Sequence, residues 1–379
     1  MTENRFIYLD NNATTRVAPQ VVEDMLPFFS QYYGNPSSGH SCGRQSARAL
    51  SEAREQTASL FKCSPEEIIY NSCGTESDVT AILAALKSFP DKRHIVTTSV
   101  EHPAVKNLCE NLTGITGREY RVTTLKVNPE GKIDLREFEN SLSKDTVLAS
   151  IMWANNETGV IFPIEELAGI AGKYDVLFHT DAVQAVGKLD LDMQEVPVDY
   201  LSLSGHKFHA PKGVGALYVR RGAPFHPFLP GGGQEGGRRA GTENTAYIAG
   251  LGRACDLAAD HLREVETSVR YLRDKLEQGL LEAIPGAAVN GGGSRRLPNT
   301  SNIRIPGIRG DELVRRLDEK GICASAGAAC KAGICKPSHV LEAMGVPADQ
   351  GAVRLSLSIF NTEAEVDYLL QVLPGLVQE

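Results

Sequence analysis

The 379-residue chain has no run of 18 or more apolar residues, so nothing in it reads as a transmembrane helix. Its first residues, MTENRFIYLDNN, have neither the basic start nor the apolar core of a signal peptide. An excess of positive charge is also missing: 39 Lys and Arg against 47 Asp and Glu give a formal net charge of −8, which offers nothing to nucleic acid. The eight cysteines (42, 63, 73, 109, 255, 323, 330 and 335) lack the density of a small disulfide-stapled scaffold, and only the last three cluster. Their spacings fit no zinc-ribbon pattern, so no metal site is expected. These absences predict a soluble, cytoplasmic protein with mostly free thiols and with no membrane or nucleic-acid partner.

The length leaves room for one large α/β domain plus a smaller one. Short apolar runs ending in polar groups recur along the first two thirds. In EEIIYNSCGTESDVTAILAALKS an apolar strand runs into a tight turn at Gly74, and Thr75 opens a helix. A helix N-terminus preceded by glycine suits a phosphate, although a plain capping box at Thr75 fits as well. HIVTTSVEHPAV places His102 after a strand and before a helix with proline in its first turn. There it could stack on a cofactor ring and move protons, or simply be a hydrogen-bonded core residue. VLASIMWANNETG ends a further strand at Asn155 and Asn156.

In DVLFHTDAVQAVGKLDLDMQEVPVDYLSLSGHKFHAPKGVG two apolar runs end in Asp181 and in Ser204-Gly205-His206-Lys207, with a segment between them long enough for a crossover. If both are parallel strands, their carboxyl ends open on the same side of the sheet, where α/β folds bind ligands. A carboxylate and a lysine in one pocket suggest pyridoxal phosphate chemistry, while a capping aspartate and a surface lysine remain the bland alternative. Gln184, three residues after Asp181, is close enough to face the same pocket. The glycine-rich LPGGGQEGGRRAGTENTAYIAG reads by composition as a flexible loop with incidental arginines. From about Asp256 a charged amphipathic helix leads into an α+β region containing CASAGAACKAGICKPSHVLEAMG, whose small residues favour a mobile loop around Cys330.

Taken together, SCGTES, EHPAV, WANNETG, TDAVQ, SGHK followed by PKGVG, and GGQE…GRRAGTEN resemble the cysteine desulfurases of the NifS/IscS type, most closely the NifS branch associated with nitrogen fixation. The resemblance runs from FIYLDNNATT to LSLSIFNTEAEVDYLL. It implies a fold type I pyridoxal-phosphate transferase: a large domain (14–256) with a mainly parallel seven-stranded sheet between helices, and a small α+β domain (1–13 and 257–379) carrying a catalytic-cysteine loop at about 323–338. It implies pyridoxal 5'-phosphate as a Schiff base on Lys207, Asp181 at the pyridine nitrogen, His102 on the ring, and Gln184 and Asn156 at the ring hydroxyl and bound amino acid. Gly74, Thr75, Ser204 and His206 match the phosphate cradle, and Thr242 matches a threonine that reaches the phosphate from the neighbouring subunit of a homodimer.

Arg354 matches the arginine that grips the substrate carboxylate, and Cys330 the nucleophile that takes sulfur from L-cysteine as a persulfide, leaving L-alanine. The acceptor implied is an iron–sulfur scaffold of the NifU/IscU kind. A selenocysteine lyase or aminotransferase of the same fold, or a non-catalytic assembly scaffold, are the rival readings. Three residues depart from the pattern: Ile359 stands where a second arginine is common, Cys335 is an extra thiol, and Lys331 replaces a small hydroxyl residue.

Overall fold

The computed structural model describes residues 6–326, 330–331, 334–335, 338–347 and 350–378. Strand β1 (Ile7–Tyr8) is followed by β2 (Ile68–Asn71), β3 (His94–Thr98), β4 (Arg121–Leu125), β5 (Thr146–Ser150), β6 (Leu177–Asp181), β7 (Tyr200–Ser204) and β8 (Gly215–Val219). Strands β2 to β8 form one seven-stranded sheet in the order β2-β8-β7-β6-β5-β3-β4. The pairs from β7 through β4 are parallel, and only β8 runs against its neighbours. Every residue of β3, β5, β7 and β8 is buried, which is why these runs do not alternate but hold apolar, aromatic or small residues, apart from His94, which is hydrogen-bonded to Thr123 and Thr146. One face packs on Phe61, Phe138, Phe178 and Leu251 and the other on Ile69, Ile82, Leu148 and Tyr200.

Because β2, β3, β5, β6 and β7 all point the same way, their carboxyl ends open at one edge of the sheet. The crossover from β6 to β7 is built of turns and holds no α-helix. Asp181 accordingly caps a turn, accepting the Val183 N–H at 2.9 Å.

The remaining strands are β9 (Ala288–Val289), β10 (Thr300–Ile305), β11 (Ile322–Cys323), β12 (Cys330–Lys331), β13 (Ile334–Cys335) and β14 (Gly351–Ser356). An antiparallel sheet runs β14-β10-β9, and β1 pairs parallel with β11. Leu9, Leu272, Leu276, Ile303, Leu355 and Leu369 share a core here that is separate from the large sheet's. The switch between cores falls within one continuous helical stretch. Ile248, Leu251 and Ala254 of the helix Thr245–Glu264 pack on the large sheet, whereas Val265, Val269 and Leu272, on a π-helical turn and the helix beyond it, pack on the small one. Leu257 and Ala258 still pack against the large sheet's core, so the change falls between Ala258 and Val265; we propose the boundary just before it, at 256/257, with residues 1–13 joining the C-terminal unit through Leu9.

Around Cys330 the small residues read as a mobile loop, but the backbone pairs β12 with β13 as an antiparallel hairpin, with Cys330 opposite Cys335. The side chains of Cys330, Lys331 and Cys335 lie outside the described part of the structure.

Candidate active site

The common edge of the sheet opens into a cavity of about 360 Å³. Gly74, Thr75, His102, Asn156, Asp181, Gln184, Ser204, His206, Lys207 and Arg354, all singled out in the sequence, line it. Each comes from a strand end, the turn after it or, for Gly74 and Thr75, the first turn of the helix that follows, except Arg354, which belongs to β14 of the small unit.

Lys207 lies in the 3₁₀ turn Gly205–Lys207 that follows β7. Its ammonium donates to the main-chain oxygens of Asn12 at 2.7 Å and Ala13 at 2.8 Å. Burial and the nearby Arg354 charge pull its pKa down to about 8, so a free amine is accessible near neutral pH. Burial pushes the Asp181 carboxyl up, against the charges of His102 and Lys207. His102 is the N-cap of the helix Pro103–Glu110, its Nδ1 accepting the Ala104 N–H at 3.2 Å, and burial holds it below the usual imidazole range. His206 meets the Thr14 hydroxyl at 3.1 Å and is driven down to about 4 by burial and by the Lys207 charge, so it is neutral at pH 7.

The residues at the β2 and β7 ends fit a phosphate. Cys73, not Thr75, is the N-cap of the helix Gly74–Ser88, and it offers no side-chain cap, which removes the capping-box alternative and leaves Thr75 exposed to the cavity. A Cβ on Gly74 would come within 2.7 Å of Val183 Cγ2, so the close approach of the turn to the Asp181 segment requires glycine. Among the described residues the buried Ser204 hydroxyl has no hydrogen-bond partner, as expected of a group that waits for a ligand oxygen. With the amine of Lys207 and the acid of Asp181, this donor set suits pyridoxal phosphate.

Arg354 is 6% exposed and so is no surface ion pair. Its Nη2 bonds Asp10 Oδ1 at 2.6 Å and its Nη1 the Asn156 carbonyl at 3.0 Å, while Nε has no partner among the described residues. Arg354 also anchors the cysteine-bearing segment, exchanging main-chain hydrogen bonds with Ser325. At the other end of that segment, Ser338 donates to Glu157, next to Asn156. Both ends of the stretch that carries Cys330 are therefore fixed beside the cavity, although its thiol lies outside the described residues.

Thr242 does not join this cavity. It lies exposed beside a separate depression of about 160 Å³ that Tyr70, Glu235 and Arg239 also line. The loop that carries it is not free, because each of its arginines has a partner: Arg239 forks onto Glu76 (2.8 and 3.2 Å), and Arg238 bonds the Glu66 and Ile68 carbonyls. Glu235, buried at φ 51°, receives both Nη atoms of Arg54 (2.9 and 2.6 Å) and the Tyr70 N–H (2.9 Å).

Several residues of the site were not picked out in the sequence. Asn12 and Ala13 belong to a turn that reads there as an ordinary polar loop, yet their carbonyls hold Lys207. Asp78 is a second buried carboxyl in the cavity, its Oδ1 without a hydrogen-bond partner among the described residues and 3.6 Å from His179 Nε2. Burial drives His179 down to about 3, so it is neutral, and pushes the Asp78 carboxyl well up from the usual carboxylate range, which favours its protonated form beside the imidazole. The helical phase of Asp78, one turn after Thr75, was the available signal. Ile359 lies behind Lys207, on an apolar crevice of about 50 Å³ shared with Lys188, His209 and His261.

Comparison with known proteins agrees with this geometry. The aminotransferase class-V family profile matches residues 7–369. A cysteine desulfurase of Trichormus azollae is 52% identical over 374 residues, 98% of this chain and 93% of that one. The cysteine desulfurase NifS of Azotobacter vinelandii is 50% identical over 376 residues, with the same coverage. Among solved structures, a NifS-like protein superposes with a TM-score of 0.92 at 40% identity, covering 99% of this chain and all of the other. SspA in complex with cysteine superposes with a TM-score of 0.82 at 35% identity over 94% of this chain and 100% of that one. With such likeness over nearly its whole length, the chain belongs to the class-V aminotransferase family and, within it, to the cysteine desulfurases of the NifS type.

Proposed function

We propose that the protein is a pyridoxal-phosphate cysteine desulfurase that converts L-cysteine to L-alanine and retains the sulfur on Cys330 as a persulfide. The observation that carries this reading is the single cavity in which Lys207, Asp181 and His102 face a cradle of Gly74, Thr75 and Ser204. When bound there, the cofactor supplies an electron sink for bonds broken next to the substrate Cα. Lys207 holds the cofactor and moves the Cα proton, and Asp181 keeps the pyridine nitrogen protonated. His102, which lines the cavity, would pack against the ring and exchange a proton with the substrate. Gln184 and Asn156 contact the ring hydroxyl and the amino acid, and His206 completes the phosphate site. Arg354 has N–H groups left over from Asp10 and Asn156, Nε among them, for the substrate carboxylate.

The Cys330 thiolate attacks the substrate sulfur. The new S–S bond forms as the C–S bond breaks, the electron pair stays with the substrate carbon, and protonation of that carbon gives alanine. Cys330 favours this sulfur transfer over transamination, and the anchoring of its segment at Ser325 and Ser338 beside the cavity supports the reading. We further propose a homodimer in which Thr242 serves the neighbouring subunit's phosphate. An exposed apolar strip of Leu26, Phe29 and Tyr33 supports such an interface. The persulfide then passes, in the cytoplasm, to an iron–sulfur scaffold protein of the NifU/IscU kind.

Purified protein should be yellow, and with L-cysteine and a reductant it should release equal amounts of alanine and sulfide. Cys330→Ala should keep the colour and bind cysteine without turnover, whereas Lys207→Ala should lose the covalent link to the cofactor. Undiminished sulfide release by Cys330→Ala would sink the persulfide route.

A further inference from the structure

Lys188 is 7% exposed, yet the oxygens its ammonium reaches among the described residues belong to Gln184: the main-chain oxygen at 3.0 Å and the side-chain Oε1 at 3.4 Å. A buried lysine without a carboxylate partner is costly and calls for a reason. The chain is built to bring it there. Gly187 turns at φ 74°, and a Cβ on it would come within 2.9 Å of Phe208 Cβ, so the turn folds Lys188 back over Gln184 only because residue 187 is glycine. On its other side, Gln184 donates Nε2 to the Asn12 carbonyl at 3.0 Å. The same carbonyl accepts Lys207 at 2.7 Å, so Lys188, Gln184, Asn12 and Lys207 form one continuous chain of hydrogen bonds.

The orientation of the amide follows from its two neighbours. Turned over, it would set nitrogen against the Lys188 ammonium and oxygen against the Asn12 carbonyl, donor facing donor and acceptor facing acceptor. In the favoured orientation one N–H goes to Asn12 and the second is left for the cavity that Gln184 lines. Asn12 alone is an insecure anchor, because Lys207 must leave that carbonyl to reach the cofactor. Lys188 does not depend on that movement.

We propose that Lys188 is a positioning residue of the cofactor site, which holds the Gln184 carboxamide with its oxygen inward and an N–H aimed at the ring oxygen of pyridoxal phosphate. This rests on the cofactor reading above. A donor at that oxygen favours the deprotonated form of the chromophore formed with Lys207, and because burial with the Lys207 and Arg354 charges draws Lys188 down to about 7, its charge adds to the effect below that pH. Removing donor and charge moves the chromophore's titration to higher pH.

The test uses the cofactor-loaded enzyme and the visible spectrum as a function of pH, with circular dichroism as a check on folding. Lys188→Met should raise the apparent pKa of the chromophore by about half a unit or more while the fold is retained. Gln184→Leu should raise it in the same direction, and the double variant should show little beyond Gln184→Leu alone. Should Lys188→Met fail to fold, Lys188→Gln, neutral and keeping one amide donor, carries the same comparison. A wild-type chromophore whose titration is unmoved by these changes, or shifts that simply add in the double variant, would overturn the assignment while leaving the cofactor reading intact. A wild-type protein with no visible band would overturn both.

Discussion

At the scale of single residues the site is governed by burial. Lys207, drawn down to about 8, loses its proton as pH rises through that value, far below the ordinary lysine range of about 10.4. Cofactor capture by the cofactor-free protein, followed by absorbance, should therefore accelerate up to about pH 8 and level off above it. A lysine of ordinary pKa would give a rate still climbing at pH 9. Gly74 carries a steric prediction. Alanine there meets the stiff Val183 side chain at 2.7 Å, so Gly74→Ala should cost about 1–3 kcal/mol, read as a lower urea midpoint together with weaker cofactor retention. Asp78 sits in the cavity with its acid pushed well above the usual carboxylate range. Because burial favours its neutral form, which asparagine resembles in size and charge, Asp78→Asn should change stability by no more than about 1 kcal/mol, measured by urea unfolding at neutral pH.

At the scale of elements, the glycine-rich loop after β8 shows how composition misleads. Its glycines and exposed tips read as flexible, but Glu235 and the arginines tie it to the β2 edge of the sheet and to the first turn of the cradle helix. Glu235 holds a left-handed backbone that no glycine relieves, which the bidentate Arg54 pair offsets. Glu235→Ala should leave Arg54, only 20% exposed in its side chain, without its carboxylate. The expected loss is about 3 kcal/mol in urea unfolding, larger than the effect of breaking the exposed Arg48–Glu52 pair. Composition could not reveal the clamp, because Arg54 and Glu235 lie far apart in sequence and meet only across the edge of the sheet.

At the scale of the whole molecule, the cavity forms where the two cores meet, and acids buried at that junction make stability depend on pH. Burial raises Glu157 to about 7 and Glu101 to about 8. The folded protein thus keeps protons that the unfolded chain releases above about pH 4.3. This contribution is full below that value and is lost as pH rises towards 7 and 8, at up to about 1.4 kcal/mol per pH unit for each group. Glu157→Gln, whose amide oxygen can still accept the Ser338 hydroxyl, should reduce the fall in urea midpoint between pH 5 and pH 7. An unchanged profile would show that Glu157 titrates normally in the folded state.

The sequence by itself determined the strand ends and the chemistry placed on them. Short apolar runs stop at Gly74, His102, Asn156, Asp181 and Lys207 because a buried strand excludes such groups until it reaches the sheet's edge, and that local rule is visible without a fold. The sequence also marked Arg354, as a match to a known pattern and not from anything local to it. Only the tertiary structure decided what holds these groups in place. Asn12 and Ala13 reach Lys207 and Asp10 reaches Arg354 through turns whose residues look like ordinary loop polarity. Main-chain carbonyls leave no trace in residue identity, and contacts across a hundred or more positions arise only when the chain closes on itself.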